Sequence, residues 1–150
     1  MDRSVIVFVV FVFVMSLSFD CPAADDEMHL NGGLLIGSYH FDSDEDYNEE
    51  NLGIALELQW DLGRVGVMSF KNSYYNQANA VYAGGDYYQS PHLDLGFNIA
   101  YVEGYTKEQL KLPIVPMLTA EIKVNDDWPT IVLSGIPGEV VGFGLGWRFW

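Results

Sequence analysis

The sequence predicts an all-β fold, an eight-stranded antiparallel transmembrane β-barrel of the bacterial outer membrane that follows a cleaved signal peptide. Three observations support this class: an apolar export segment at the N-terminus, later segments in which apolar residues alternate with small or polar ones, and aromatic residues near the ends of those segments. Alternation is expected because lipid-facing and lumen-facing side chains follow one another along each strand of a membrane barrel.

The N-terminal segment has the order of a secretory signal peptide. Arg3 precedes an apolar run at 5–14, and small residues follow before the first acidic pair. The run is shorter than the roughly 18 apolar residues of a membrane-spanning helix, so we expect it to be removed. We therefore predict a signal peptide at 1–24 and an outer-membrane barrel domain at 25–150.

The composition narrows the classes of function. The single cysteine, Cys21, lies in the predicted signal peptide, so the mature chain needs neither disulfides nor thiol chemistry. A lipid-modified Cys21 is the alternative, although residues 18–20 are a poor context for lipoprotein processing. The net charge of −14 argues against a nucleic-acid partner, because a polyanion would be repelled.

Two segments show the strand pattern most clearly. In 51–60 the even positions are Leu, Ile, Leu, Leu and Trp, whereas the odd positions are Asn, Gly, Ala, Glu and Gln. In 141–149 apolar and aromatic residues alternate with glycines and Arg148. A soluble sandwich also alternates. The export signal and the strand-end aromatics, namely Tyr39, Trp60, Tyr101 and Trp147, favour the membrane barrel.

Eight candidate strands follow one another between segments rich in glycine, asparagine, aspartate and proline. The predicted ranges are 30–41, 51–60, 64–74, 79–88, 92–102, 111–124, 129–136 and 139–149. If the first strand starts in the periplasm, the loops at 42–50, 75–78 and 103–110 lie outside the cell and the tight turn at 61–63 lies inside. A barrel of this size has a narrow lumen, filled by side chains or able to hold one small ligand or chain.

Strands one and three both run outward, so their C-terminal ends meet at the same rim. His40 closes the first strand, and Asn72 with Ser73 closes the third. Across the second strand these groups lie about 10 Å apart, a gap that inward side chains can narrow. Tyr39 and Phe41 take the apolar face, which leaves His40 directed inward.

A histidine beside a serine is the minimum for an activated hydroxyl, because the imidazole takes the proton as the oxygen attacks an acyl carbon. An isolated histidine and serine at strand ends are more often solvated groups. The acidic loop at 42–50 could hold divalent cations through its carboxylates. It lacks the spacing of a defined calcium loop, so a solvated outer loop is the preferred interpretation and no metal site is predicted.

A series of short stretches carries a family resemblance. In order they are YHFDSDEDYNEENLG, FKNSYY, LPIVP, IPG and GWRFW. Together they resemble the outer-membrane lipid A palmitoyltransferases of the PagP type. The corresponding stretches of that family have a His near the end of strand one, Tyr-Asn-Glu opening strand two, Phe-Lys-Asp-Ser ending strand three, Ile-Pro-Gly before the last strand and an Arg-Phe terminus. The resemblance covers most of the mature chain.

The resemblance implies an eight-stranded barrel that moves an acyl chain from a phospholipid to lipid A or a related lipid acceptor, as a monomer and without a cofactor. The catalytic positions carried over are His40 as general base, Ser73 as the hydroxyl at the reacting centre and Asn72 as the orienting group. Pro137 would mark lateral lipid entry, because a proline removes a ladder donor. Lys71 would lie near lipid phosphates, with a snorkelling interfacial lysine as the alternative.

The sequence departs from the family in three places. Asn72 stands where the family has an aspartate, and Asn51 stands where it has a proline. The family's amphipathic N-terminal helix has no room before strand one. Asp86 lies near the depth at which a family glycine sets acyl-chain length, so no residue is assigned that function.

Two other interpretations remain open. The first is a non-catalytic small barrel with a structural or surface-binding role, which the change at Asn72 and the carboxylate of Asp86 favour. The second is a phospholipase or deacylase that uses the same rim, with water in place of the lipid acceptor.

Overall fold

The computed structural model describes residues 28–41, 46–61, 63–125 and 129–149. The predicted signal peptide at 1–24 and four residues of the acidic loop, 42–45, lie outside the described residues. Within the described ranges, no helix is long and apolar enough to cross a membrane.

Eight strands form a closed antiparallel barrel in which each strand pairs with the next and β1 pairs with β8. The strands are β1 His29–His40, β2 Gly53–Trp60, β3 Gly63–Lys71, β4 Gln77–Gln89, β5 Leu93–Glu103, β6 Ile114–Ile122, β7 Thr130–Ile136 and β8 Val140–Arg148. The predicted all-β, eight-stranded antiparallel barrel is confirmed, with every strand end within three residues of its predicted position.

The alternation seen in the sequence separates the outer surface from the lumen. On β2 and just before it, Leu52, Ile54 and Leu56 are 62%, 67% and 53% exposed, whereas Asn51 and Gln59, at odd positions of the same segment, are buried. The pattern holds on β5, where outward Ile99 is exposed and its neighbours are buried. The barrel therefore carries its apolar side chains outside and many of its polar ones inside.

We call the two ends of the barrel the His40 end and the His29 end, after the residues that close β1. Toward the His29 end the lumen holds a charged cluster in which Arg64 of β3 is ion-paired with Glu57 of β2, Asp86 of β4 and Glu121 of β6. The Arg64 and Asp86 side chains are each only 3% exposed. Asp86 thus lies in the lumen, as its position in the sequence suggested, with Arg64 compensating its charge.

The β6–β7 ladder is incomplete at the His40 end. The β5–β6 ladder continues to Tyr101 and Ile114, but the β6–β7 ladder runs only from the Ile122–Ile131 pair to the Leu118–Gly135 pair. Pro116 lies in the unpaired part of β6 and has no N–H to donate. Backbone hydrogen bonds therefore join β6 to β7 over only about half of the length of β6.

Candidate functional site

The structure brings the predicted histidine and serine into contact. His40 is the last residue of β1, and Ser73 lies in the turn that follows β3. The Nε2 atom of His40 lies 2.8 Å from the Oγ atom of Ser73, and both residues line the lumen. The two side chains meet across the start of β2, as expected for side chains that both point into the lumen.

A β-bulge in β1 gives His40 this direction. The β1–β8 register shifts between Leu35 and Gly37, so the inward positions change from odd to even residue numbers. Gly37 permits the close approach at this point, because a Cβ there would lie 2.8 Å from the carbonyl oxygen of Glu49. Without the shift, His40 would point away from the lumen, since one residue of slip moves every side chain to the other face.

The segment that precedes β2 joins the ends of β1 and β3. Its backbone bonds to both sides, with Ser38 N–H donating to Glu49 O at 2.9 Å and Asn48 N–H donating to Ser73 O at 2.8 Å. The Asn51 side chain adds two further bonds: it accepts from Ser38 Oγ at 2.6 Å and donates to the Lys71 carbonyl at 3.0 Å. Asn51 therefore closes the wall on this side of the site.

The surroundings of Asn72 differ from those expected of a group that orients His40. It is 0% exposed, and its Oδ1 atom accepts from the N–H groups of Tyr74 and Asn76 at 2.9 and 3.0 Å. Its Nδ2 atom donates to the carbonyl of Gly104 at 2.9 Å. All of these partners are backbone groups, so the observed contacts of Asn72 shape the turn that holds Ser73 and attach it to the β5–β6 loop.

The imidazole of His40 is held by stacking rather than by a second hydrogen bond. Its ring stacks on Tyr47 with a centroid separation of 4.3 Å and an interplanar angle of 23°. Its Nδ1 atom is buried and has no hydrogen-bond partner among the residues that the structure describes. In the described part of the chain, no hydrogen bond joins this nitrogen to Asn72, the predicted orienting group.

Tyr105, in the loop after β5, is a site residue that sequence reasoning missed. Its hydroxyl lies against Ser73, and both residues line the lumen. Burial raises the pKa of the Tyr105 phenol above its usual value, which keeps the group protonated. No motif marks this tyrosine in the sequence, and only the way the loop folds back to the lumen brings it to Ser73.

An aromatic row surrounds the His40–Ser73 pair. Tyr74 lies edge-on to both Tyr47 and Tyr105, with centroid separations of 5.6 and 6.2 Å. With the ring of His40, these side chains border the mouth of the lumen and leave Ser73 between two polar groups, the imidazole and the Tyr105 hydroxyl.

Below this mouth lies a lumen cavity of about 980 Å³. Toward the His40 end its wall is formed mostly by small and apolar side chains, including Met68, Phe70, Ala80, Ala100 and Val115. Glycines of β8 widen the opposite wall. Toward the His29 end the lining changes to Glu57, Arg64 and Glu121. The site thus combines a polar mouth, an apolar chamber and a charged floor.

The remaining predicted residues lie around the mouth but outside the His40–Ser73 contact. Lys71 is exposed at the end of β3, with its ammonium 5.3 Å from the centroid of the Tyr75 ring. Pro137 lies in the β7–β8 turn, two residues beyond the last β6–β7 pair. Among the described residues, no group of three or more His, Cys, Asp or Glu side chains is placed to hold a metal ion.

Comparison with models of known protein families and with characterised proteins yields no match for this chain. The resemblance to PagP-type palmitoyltransferases therefore stays a prediction, which depends on the five sequence stretches that carry it.

Proposed function

We propose that this protein is an outer-membrane acyltransferase that moves a fatty acyl chain from a phospholipid to lipid A or a related lipid acceptor. The observation that carries the proposal is the 2.8 Å contact between His40 Nε2 and Ser73 Oγ at the mouth of an apolar chamber. The contact provides a base and a hydroxyl, and the chamber provides a place for a hydrocarbon chain.

The outer surface of the barrel supports a membrane location. Leu52, Ile54 and Leu56 stand more than half exposed on one face. Moving each such side chain from water into hydrocarbon gains about 1.5–3 kcal/mol. Ladders that close between β1 and β8 satisfy most of the backbone internally, which a spanning structure requires. The acidic composition does not oppose this placement, because the charged cluster of Arg64 is enclosed in the lumen.

The incomplete β6–β7 ladder supports lateral access for a lipid. It lies at the same end of the barrel as His40 and Ser73, beside Pro116 and Pro137. Hydrogen bonds through Asn51 close the opposite side, between β1 and β3. An acyl chain that enters between β6 and β7 reaches the chamber with its ester group near Ser73. Lys71, exposed at the end of β3, is available to lipid phosphates at the surface.

The chemistry requires one proton acceptor and one attacking hydroxyl. His40 Nε2 removes the proton as a hydroxyl oxygen attacks the ester carbon, a new C–O bond forms and the carbonyl electron pair moves onto its oxygen. When the carbonyl re-forms, the original ester C–O bond breaks and the leaving alkoxide takes the proton from His40. In a direct transfer the attacking hydroxyl is that of the acceptor. In a two-step route it is first that of Ser73, which gives an acyl-serine and a lysophospholipid. The acceptor hydroxyl then attacks the acyl-serine carbonyl, gives its proton to His40, and the ester C–O bond to Ser73 breaks as Ser73 Oγ takes that proton back.

Acyl transfer by the purified protein tests the proposal. The protein is supplied in detergent with a phosphatidylcholine that carries a labelled palmitoyl chain, and with lipid A or phosphatidylglycerol as acceptor. We expect a labelled acceptor with wild type and none with Ser73→Ala. Ser69→Ala is the matched control, because Ser69 lies near the end of β3, four residues before Ser73, but faces outward and bonds to Asn79. An inactive wild-type barrel that is folded by circular dichroism would contradict the proposal.

A non-catalytic barrel with a structural or surface-binding role is the second candidate. The buried Nδ1 atom of His40, which lacks a partner in the described ranges, favours it, because a general base usually has its tautomer fixed by a second bond. The same assay separates the candidates: a non-catalytic barrel gives no labelled acceptor and no labelled free fatty acid.

A further inference from the structure

The contacts of Ser73 suggest a second polar group at the reacting centre. His40 approaches the Ser73 hydroxyl from β1, and Tyr105 contacts the same residue from the β5–β6 loop. We propose that Tyr105 is a further catalytic residue, whose hydroxyl donates a hydrogen bond to the acyl oxygen as negative charge develops there, and that Asn72 is the residue that positions it. This inference rests on the acyl-transfer function proposed above.

The position of Tyr105 fits an oxyanion donor. Its side chain lines the same cavity as His40 and Ser73, and its hydroxyl lies against Ser73, which places it beside the atom that an acyl carbon must approach. An ester carbonyl next to Ser73 Oγ would accept the hydrogen of the phenol hydroxyl. Buried hydrogen-bond donors aimed at a developing oxyanion are among the most effective elements of acyl-transfer sites.

Two features hold Tyr105 in place. The first is the bond from Asn72 Nδ2 to the carbonyl of Gly104, which fixes the peptide directly before Tyr105. The second is the conformation of Gly104, whose φ of 103° and close approach to Gln77 exclude a side chain: a Cβ would lie 2.4 Å from the Gln77 carbonyl oxygen. Asn72 also holds the turn of Ser73 through its Oδ1 atom. One buried amide therefore sets the distance between the two hydroxyls.

The amide of Asn72 leads to a specific prediction for the Asn72→Asp variant. The family resemblance places an aspartate at position 72, which would suggest that Asn72→Asp improves catalysis. In this structure the Nδ2 atom is a donor to Gly104, and a carboxylate has no proton to give. A carboxylate oxygen would face the Gly104 carbonyl oxygen and repel it. Asn72→Asp should therefore displace Tyr105 and slow the reaction.

The reaction written with Tyr105 keeps its atoms and charges balanced. The attacking hydroxyl loses its proton to His40, its oxygen bonds to the ester carbon, and the carbonyl electron pair becomes an oxyanion that accepts the Tyr105 O–H bond. The oxyanion then re-forms the carbonyl, the glycerol C–O bond breaks, and the leaving alkoxide takes the proton that His40 holds. Tyr105 keeps its own proton throughout.

Steady-state kinetics of acyl transfer from phosphatidylcholine test the proposal. We expect Tyr105→Phe to lower kcat about 100-fold to 1000-fold, the usual loss of one oxyanion donor, while KM changes by less than about threefold. Tyr75→Phe is the matched control, because it removes an exposed hydroxyl from the adjacent turn, and its kcat should equal that of wild type. Asn72→Asp should lower kcat with the same pattern.

A fluorinated tyrosine at position 105 keeps the size of the side chain and covers the case in which Tyr105→Phe fails to fold. Fluorination makes the phenol more acidic, so this variant should lose kcat in mildly alkaline solution where wild type and a variant fluorinated at Tyr75 do not. Two results would overturn the function of Tyr105: full kcat in Tyr105→Phe, or an unchanged pH profile in the fluorinated protein. If wild type is active and Ser73→Ala is inactive in the same assay, the acyltransferase function stands. Inactive wild type would overturn both.

Discussion

The Arg64→Met substitution should lower the free energy of unfolding, by an amount that follows from the charged cluster around Arg64. The Arg64 side chain is 3% exposed and pairs with three carboxylates, whose side chains are 3% exposed in Asp86, 12% in Glu57 and 15% in Glu121. Methionine keeps much of the length but removes the cation, so three buried or nearly buried carboxylates lose their shared partner. Removing one member of a buried ion pair costs about 3–5 kcal/mol of unfolding free energy.

The expected change is large enough to measure by urea unfolding in detergent. A free-energy loss of about 4 kcal/mol, divided by a slope of about 2 kcal/mol per molar urea, lowers the midpoint by about 2 M. Arg148→Met is the matched control, because Arg148 is exposed at the end of β8 and should change the free energy by less than about 0.5 kcal/mol. An unfolding midpoint of Arg64→Met within 0.3 M of wild type, roughly the resolution of such curves, would refute this reasoning.

Three further substitutions test the site. His40→Gln should reduce acyl transfer by about 100-fold or more at neutral pH without changing the unfolding midpoint, because it removes the base but keeps a polar side chain; kinetics and urea curves check this. Asn51→Pro should lower the unfolding free energy by about 2–4 kcal/mol, since it removes two buried hydrogen bonds, and an unchanged urea midpoint would contradict it. Pro116→Thr restores an N–H to β6, so the β6–β7 ladder can lengthen and acyl transfer should slow. Pro91→Thr, at the other end of the barrel, is its control. Equal rates in the two variants would argue against lipid entry between β6 and β7.

The architecture could be predicted because it depends on local pattern. The alternation in 51–60 indicates which side chains face outward, and eight consecutive segments of this kind predict the closed barrel that the structure shows. The inward direction of His40 was also readable, because Tyr39 and Phe41 are aromatic and take the outer face. The bulge between Leu35 and Gly37 that produces this direction was not readable, since nothing in the local composition says where one extra residue is accommodated.

The contacts between distant strands could not be predicted from the same pattern. Asn72 looked like a replacement for an orienting aspartate, but its partners are backbone groups of its own turn and of Gly104, which a linear motif does not show. Tyr105 lies in a loop without a motif, and its contact with Ser73 depends on how that loop folds. The pairing of Arg64 with Glu121 likewise depends on the narrow lumen, which places β3 opposite β6.

The proposed function requires that the His40–Ser73 pair transfers acyl chains between lipids of the outer membrane. Mass spectrometry of lipid A and phospholipids from bacterial cells that express wild type or Ser73→Ala tests it most directly, with heat-modifiable migration on gels showing that both proteins reach the outer membrane folded. We expect an additional acylated lipid with wild type that is missing with Ser73→Ala. Identical lipid profiles for both folded proteins would contradict it.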